Sequence, residues 1–138
     1  MKVEEGVALS RFTTLGAGGS AIAFARPESV DEVGEALAWA RDQGLSVAAI
    51  GLGSNLLVAD AGFDGLVLKL GGELGQAQVE GERLVAGGGA PNAVCLHRVR
   101  AANLGGFEFA CAIPGTVGGG AWMNAGACLL YTSDAADE

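Results

Sequence analysis

The sequence predicts an α+β fold, and three features carry that prediction. A capped amphipathic helix is followed by two short apolar strands, a second pair of strands turns about a Gly-Glu dipeptide, and another helix follows that hairpin. The 24 glycines, against roughly ten expected at average usage, gather mainly in the connections. At 138 residues, 50% of them hydrophobic and 17% charged, the chain has the apolar material for a buried core and is not composed like a disordered segment.

In "PESVDEVGEALAWARDQG", Ser29 stands at the N-cap with Glu32 three residues on, a capping box that satisfies amide donors left open at a helix start. Val30, Val33, Leu37 and Ala40 recur at helical spacing and Gly44 ends the run, so a helix is expected over Val30–Gln43 with those four residues as its apolar stripe. "LSVAAIG" reads as a buried strand ending at Gly51, and "GLVLKL" as another from Gly65 to Leu70. "AQVEGERLVAG" alternates on either side of Gly81 and Glu82, the pattern of a hairpin with one solvated face. Pro91 at a first turn, a Cys95, Val99, Ala102 stripe and Gly105 just beyond mark a second helix over Asn92–Asn103. From Cys128 the text "CLLYTSDAADE" turns acidic with no periodic apolar face, and does not read as the completion of a domain.

Charge and composition narrow the function. A net charge of −8 with no Lys/Arg cluster repels a phosphate backbone, so nucleic acid is not an expected partner. No apolar run approaches the ~20 residues that span a bilayer. The start "MKVEEGVALSRF" lacks the apolar stretch of a secretory leader, so a cytoplasmic location is expected. Cys95, Cys111 and Cys128 are odd in number, without a C-x-x-C pair and with a single histidine, so buried thiols are expected rather than disulfides or a metal site.

Two loops share a chemistry. "GLGSNLLVADAGFDG" follows a predicted strand, and "IPGTVGGGAWMNAGA" packs five glycines into fifteen residues with no charge; neither contains Lys or Arg. Glycine tolerates positive φ and carries no side chain, so such a loop can turn several N–H groups on one anion without a basic residue. Ser54 and Asn55 add polar donors beside Gly51 and Gly53, which suits a diphosphate. The bland reading, tight turns and nothing more, stays open for each loop taken singly. A Rossmann fingerprint fails because Leu56 occupies the place of its third glycine, and a P-loop fails because no G-K-[ST] occurs. His97 reads as an exposed or capping residue, Asp60 and Asp64 as turn formers, and Trp122 either as a stacking partner for a ring or as core filling.

Taken together, "FTTLGAGGSA", "GLGSNLLVADAGFDGLVL" and "GFEFACAIPGTVGGGAWMNAGA" resemble the N-terminal part of the UDP-N-acetylenolpyruvoylglucosamine reductases, in order and in spacing. The resemblance implies a vanillyl-alcohol-oxidase-like (PCMH-type) FAD-binding domain of two α+β subdomains, residues 1–70 and an incomplete 71–127, with residues 128–138 as a tail outside the family pattern. It implies FAD as cofactor, NADPH as hydride donor, and a nucleotide-sugar substrate reduced to UDP-N-acetylmuramate for peptidoglycan. Gly51, Leu52, Gly53, Ser54, Asn55 and Leu56 match the loop around the FAD diphosphate. Ile113, Pro114, Gly115, Thr116, Gly118 and Gly119 match the loop against the ribityl chain and ring, with Asn124 and Gly126 at its end. Thr14 and Gly16 through Gly19 match the first motif. The arginine, serine and glutamate that the family uses on the enolate have no counterpart in these 138 residues, so no catalytic residue is named. A diphosphate-binding module without catalysis, and an FAD-dependent oxidase of the same fold, are the alternative readings.

Overall fold

The structure, a computed structural model, describes residues 1–126; the expected tail from Cys128 lies outside the described residues. Four strands form the first sheet in the order β1-β2-β4-β3: β1 (Val3–Ala8), β2 (Ser20–Ala25), β3 (Ser46–Ala49) and β4 (Phe63–Leu68). β1 runs antiparallel to β2, whereas β2, β4 and β3 are mutually parallel. The central place of β4 follows from its sequence, since Leu66, Val67 and Leu68 are buried on both faces of the sheet. An extra residue in β4 opposite β2 shifts the register between Ala21 and Ala23, and Gly65 sits in that irregularity, where a side chain would strike the Phe63 ring.

Helix α1 (Val30–Asp42) carries the chain from β2 to β3. Its start is built as the sequence implies: the Glu32 amide donates to Ser29 Oγ at 3.2 Å, while the Glu32 carboxylate reaches back to the amide of Glu28 at 2.8 Å. Gly44 takes φ +66° just past its end. The buried stripe differs from the expected one. Ala36 and Ala40 face Ala23, Ala25, Leu66 and Leu68, with Trp39 packed beside them, whereas Val30 and Leu37 are 69% and 46% exposed. The helix approaches the sheet through alanines on both sides, and larger residues at those positions would hold the two layers apart. On the opposite face Leu9, Ala21, Phe24 and Val67 form a second core with Phe12, Ile50, Val58 and Phe63.

β3 is not the buried strand that the sequence predicts. It lies at the sheet edge, with Ser46, Val47 and Ala49 exposed. β4 runs from Phe63 to Leu68 rather than from Gly65 to Leu70. β1 and β2 have no counterpart among the predicted elements, because "VEEGVA" interrupts its apolar pattern and "SAIAFA" is rich in alanine, a weak strand former.

The hairpin forms as expected: β5 (Ala77–Glu80) and β6 (Arg83–Ala86) pair Glu80 with Arg83 around Gly81 at φ +62°. Helix α2 (Asn92–Ala101) packs Cys95 on Ala77 and Ala90. It stops at Asn103, which takes φ +55°, two residues before the expected glycine, and Ala102 is exposed rather than part of the stripe. Burial raises the Cys95 thiol pKa. Cys111 is exposed, against the expectation of buried thiols, and Cys128 is outside the described residues. Helix α3 (Val117–Trp122) replaces part of the second predicted loop.

The alanine contact between α1 and the sheet generates a test. Ala36→Leu is expected to lower stability by about 1–3 kcal/mol through overpacking, while Leu37→Ser changes it by less than about 0.5 kcal/mol. Thermal melts of the two variants check this, and the reverse ranking would restore the stripe read from spacing.

Candidate functional site

The loop after β3 is the first wall of the site. Gly51 lies two residues past Ala49, at the carboxyl edge of the parallel strands, where open α/β sheets hold ligands. Among the described residues, none of the six amides from Gly51 to Leu56 donates to a protein acceptor. Such a run of free donors is unusual for backbone near a packed core, and it is the hydrogen-bonding capacity that an anion requires. Ser54 and Asn55 are exposed, as are Leu52 and Leu57.

Gly53 takes φ +72°, as the turn requires, but the space behind it belongs to the protein. A side chain there would run into the carbonyl oxygen of Phe12 and the backbone of Thr13. That space is filled by the first glycine motif and not left for a ligand. The Thr14 amide donates to the Gly53 carbonyl at 3.1 Å. Because a trans peptide points its C=O and N–H in opposite directions, anchoring this carbonyl aims the Ser54 amide away from the Phe12–Thr14 segment. The first motif is tied to the same loop again where Gly19 donates to Ala59 at 2.9 Å. Gly16 has φ +65° and open space around it, so it serves the turn alone.

The second wall is Ile113–Gly119. Most of its amides are committed: Ile113 donates to Ala110, Val117 to Ala90, Gly118 to Gly88 and Gly119 to Thr116 Oγ1, while those of Gly115 and Thr116 donate to no protein acceptor among the described residues. Buried Thr116 thereby caps α3, a helix whose Gly118 lies against the backbone of Gly88. At Gly118 a side chain would come within 2.8 Å of the Gly88 carbonyl. Buried Asn92 holds the same loop, its side-chain amide donating to the Ile113 carbonyl at 3.1 Å and its backbone amide to the Gly115 carbonyl at 3.0 Å. Pro114 is exposed and Gly115 half-buried, with φ +118° at the glycine. Asn124 takes φ +44° and closes on the end of α3, and Gly126 is exposed.

The two walls meet. A side chain at Gly51 would lie 2.6 Å from Thr116 Oγ1, and one at Gly115 would lie 3.4 Å from Ser54 Oγ. A third glycine run, Gly87–Gly89, supports the junction and is absent from the sequence reasoning, although its three consecutive glycines are a visible signal. Two further residues missed from sequence are Arg26 and Lys69, which follow β2 and β4 and so reach the same strand edge. Lys69 Nζ donates to the Gly51 carbonyl. Burial, and then the charge of Arg26, lowers the Lys69 pKa.

Other candidates fall away. His97, Asp60 and Asp64 are exposed, and no group of three His, Cys, Asp or Glu side chains among the described residues is placed to hold a metal. Trp122 is 88% exposed, which excludes it as core filling. An apolar cavity of about 470 Å3 between β6, α2 and α3, lined by Leu84, Phe107, Phe109, Ile113 and Val117, shares only Ile113 with the expected site. No helix among the described residues is long and apolar enough to cross a membrane.

The family model described as an FAD binding domain matches residues 21–137. UDP-N-acetylenolpyruvoylglucosamine reductase of Synechococcus sp. (strain WH7803) is 45% identical over 126 residues, 91% of this chain and 41% of that protein. The enzyme of the same name from Clostridium botulinum (strain Hall) is 41% identical over 119 residues, 86% of this chain and 39% of that one. Among solved structures, UDP-N-acetylenolpyruvylglucosamine reductase from Thermus caldophilus is similar with a TM-score of 0.76 at 33% identity, over 94% of this chain and 44% of that chain. The chain thus spans about two fifths of the length of the curated relatives it matches.

The contact between the walls predicts coupling. Gly51→Ala should cost about 1–3 kcal/mol by pushing Thr116 off α3, and much of that cost should vanish when Thr116→Ala is already present. A double-mutant cycle by denaturant unfolding measures it. Strict additivity would mean that the two loops do not touch.

Proposed function

We propose that this chain, which belongs to the FAD binding domain family, is the flavin-holding part of an NADPH-dependent reductase that converts UDP-N-acetylenolpyruvoylglucosamine to UDP-N-acetylmuramate. The observation that carries the reading is the run of free amides from Gly51 to Leu56, set at the carboxyl edge of three parallel strands and walled by a second glycine loop. The residues present fit the cofactor. Free backbone donors suit a diphosphate, exposed Leu52, Leu57 and Pro114 offer apolar surface to a flat neutral ring, and the absence of side chains at Gly51, Gly53 and Gly115 lets the segments that build the cradle come together.

In this reading Leu52, Gly53, Ser54 and Asn55 bind the diphosphate, with the Ser54 hydroxyl and the Asn55 side chain adding donors. Ile113, Pro114, Gly115, Thr116, Gly118 and Gly119 form the surface against which the ribityl chain and ring lie, Thr116 and Asn92 holding that surface rigid through their hydrogen bonds. Asn124 and Gly126 close its end. Bound FAD would supply reversible hydride acceptance and donation, the chemistry that a reductase of an enolpyruvyl ether requires. The residues of this chain bind and orient; none described is assigned to proton transfer. Residues 1–70 and 71–127 act here as the two subdomains that flank the flavin, and the enzyme works on a small nucleotide sugar in the cytoplasm.

Two measurements test the proposal. Titration of the chain with FAD, followed by flavin fluorescence, is expected to show saturable uptake at one site. A chimera joining residues 1–126 to the remaining part of the Thermus caldophilus reductase is expected to form UDP-N-acetylmuramate from NADPH and the enolpyruvyl substrate, while the 138-residue chain alone forms none. No uptake of FAD, or a chimera that binds FAD without turnover, would count against the assignment.

A further inference from the structure

Two cations stand beside the glycine cradle although the loops themselves carry none. Arg26 and Lys69 directly follow β2 and β4, so the parallel strands deliver both to the edge where Gly51 begins its loop. The Lys69 ammonium donates to the Gly51 carbonyl and lies 5.9 Å from the centre of the Phe12 ring. The Arg26 guanidinium lies 5.3 Å from the same ring and 5.4 Å from that of Phe24. Phe12 and Phe24 stack at 4.9 Å.

Among the described residues, neither cation has a carboxylate within ion-pair distance. A half-buried ammonium with a like charge nearby and no counter-ion costs stability, and a methionine of similar reach would fill the same space without that cost. The charge at this position therefore serves something other than the packing of the end of β4. What it touches is one carbonyl, and the direction of that carbonyl matters. The Gly51–Leu52 peptide is trans, so holding its C=O on Lys69 aims the Leu52 N–H the opposite way. Thr14 does the same for the peptide two residues on, through the Gly53 carbonyl. The two anchors alternate along the loop and set the Leu52 and Ser54 amides as donors.

We infer that Lys69 is a positioning residue for diphosphate recognition: from its place over Phe12 it fixes the Gly51 carbonyl and so orients the free amides of the first glycine loop. The inference rests on the FAD reading above and deepens it. It predicts a loss specific to ligands that carry the diphosphate, since the carbonyl that Lys69 holds belongs to the loop that binds it and the second wall keeps its own hydrogen bonds.

The test compares Lys69→Met and Lys69→Arg in the full chain, titrated with FAD and with riboflavin, which has the ring and ribityl chain but no phosphate. Circular dichroism of each variant reports whether the fold is kept. Lys69→Met is expected to weaken FAD about tenfold or more, the scale of a hydrogen bond to a charged group. Riboflavin binding should stay unchanged, and Lys69→Arg should recover most of the FAD affinity. Wild-type FAD affinity in Lys69→Met, an equal loss of both ligands, or no recovery with arginine would each overturn the inference while leaving the FAD assignment standing. A wild-type chain that takes up no FAD would overturn the proposed function, and the role of Lys69 with it.

Discussion

At Gly53 the first glycine loop passes so near the carbonyl of Phe12 that no side chain fits between them, and much of the site depends on that approach. Backbone lying on backbone leaves each carbonyl within reach of a fixed donor: Gly53 accepts from Thr14, and Gly51 from Lys69. Peptide planarity then turns the Leu52 and Ser54 amides away from those donors, one peptide being anchored by backbone and the other by the Lys69 side chain. The same device recurs at Gly118 on Gly88, but there the amides from Val117 to Gly119 are used within the protein. Two loops of similar composition therefore differ in chemistry, one open to an anion and the other a rigid surface. Composition alone does not distinguish them, because the difference lies in what each loop packs against.

Close approach also organises the sheet beneath. Ala23 and Ala25 on β2 meet Ala36 and Ala40 on α1, so the helix sits low on the sheet and Leu66 and Leu68 supply the larger apolar contacts. Low packing on one face leaves the aromatic volume to the other, where Phe24 stacks on Phe12. That stack carries the first motif to the loop after β3, and Arg26 and Lys69 flank it. The core and the site are joined through one ring, Phe12, which belongs to both.

Much of this was legible in the sequence, and the failures have physical causes. The α1 cap, the hairpin at Gly81 and Glu82 and the start of α2 at Pro91 rest on local chemistry, and local chemistry is what a sequence displays. The stripe of α1 keeps the expected Ala40 but adds Ala36 and leaves out Val30 and Leu37, because the contact with the sheet selects small residues. β2 was missed for the same reason, its alanines being chosen by a helix elsewhere in the chain. α3 is hidden by its glycines, which oppose helix formation by propensity, though Gly118 permits the close contact with Gly88. Gly51 and Gly53 stand out in the sequence, and what requires glycine at Gly53 is tertiary, the approach of Phe12. Lys69 lay outside both loops in sequence and reaches one of them only because β3 and β4 are adjacent and parallel.

The junction of Gly51 with Thr116 has a consequence for the order in which the molecule assembles. Residues far apart in the chain must be brought together before the second wall exists, and closing so long a loop is an entropic cost met before the contact repays it. The helices and the β5–β6 hairpin can form on short-range contacts, whereas the parallel pairing of β2 with β4 and the complete cradle wait on the docking of distant segments. A ligand held by both walls binds only the finished state and draws the population towards it by mass action. Cofactor uptake by a refolding chain is coupled to the last step of folding, so the rate at which such a chain captures its ligand reports the closure of the tertiary structure and not diffusion alone.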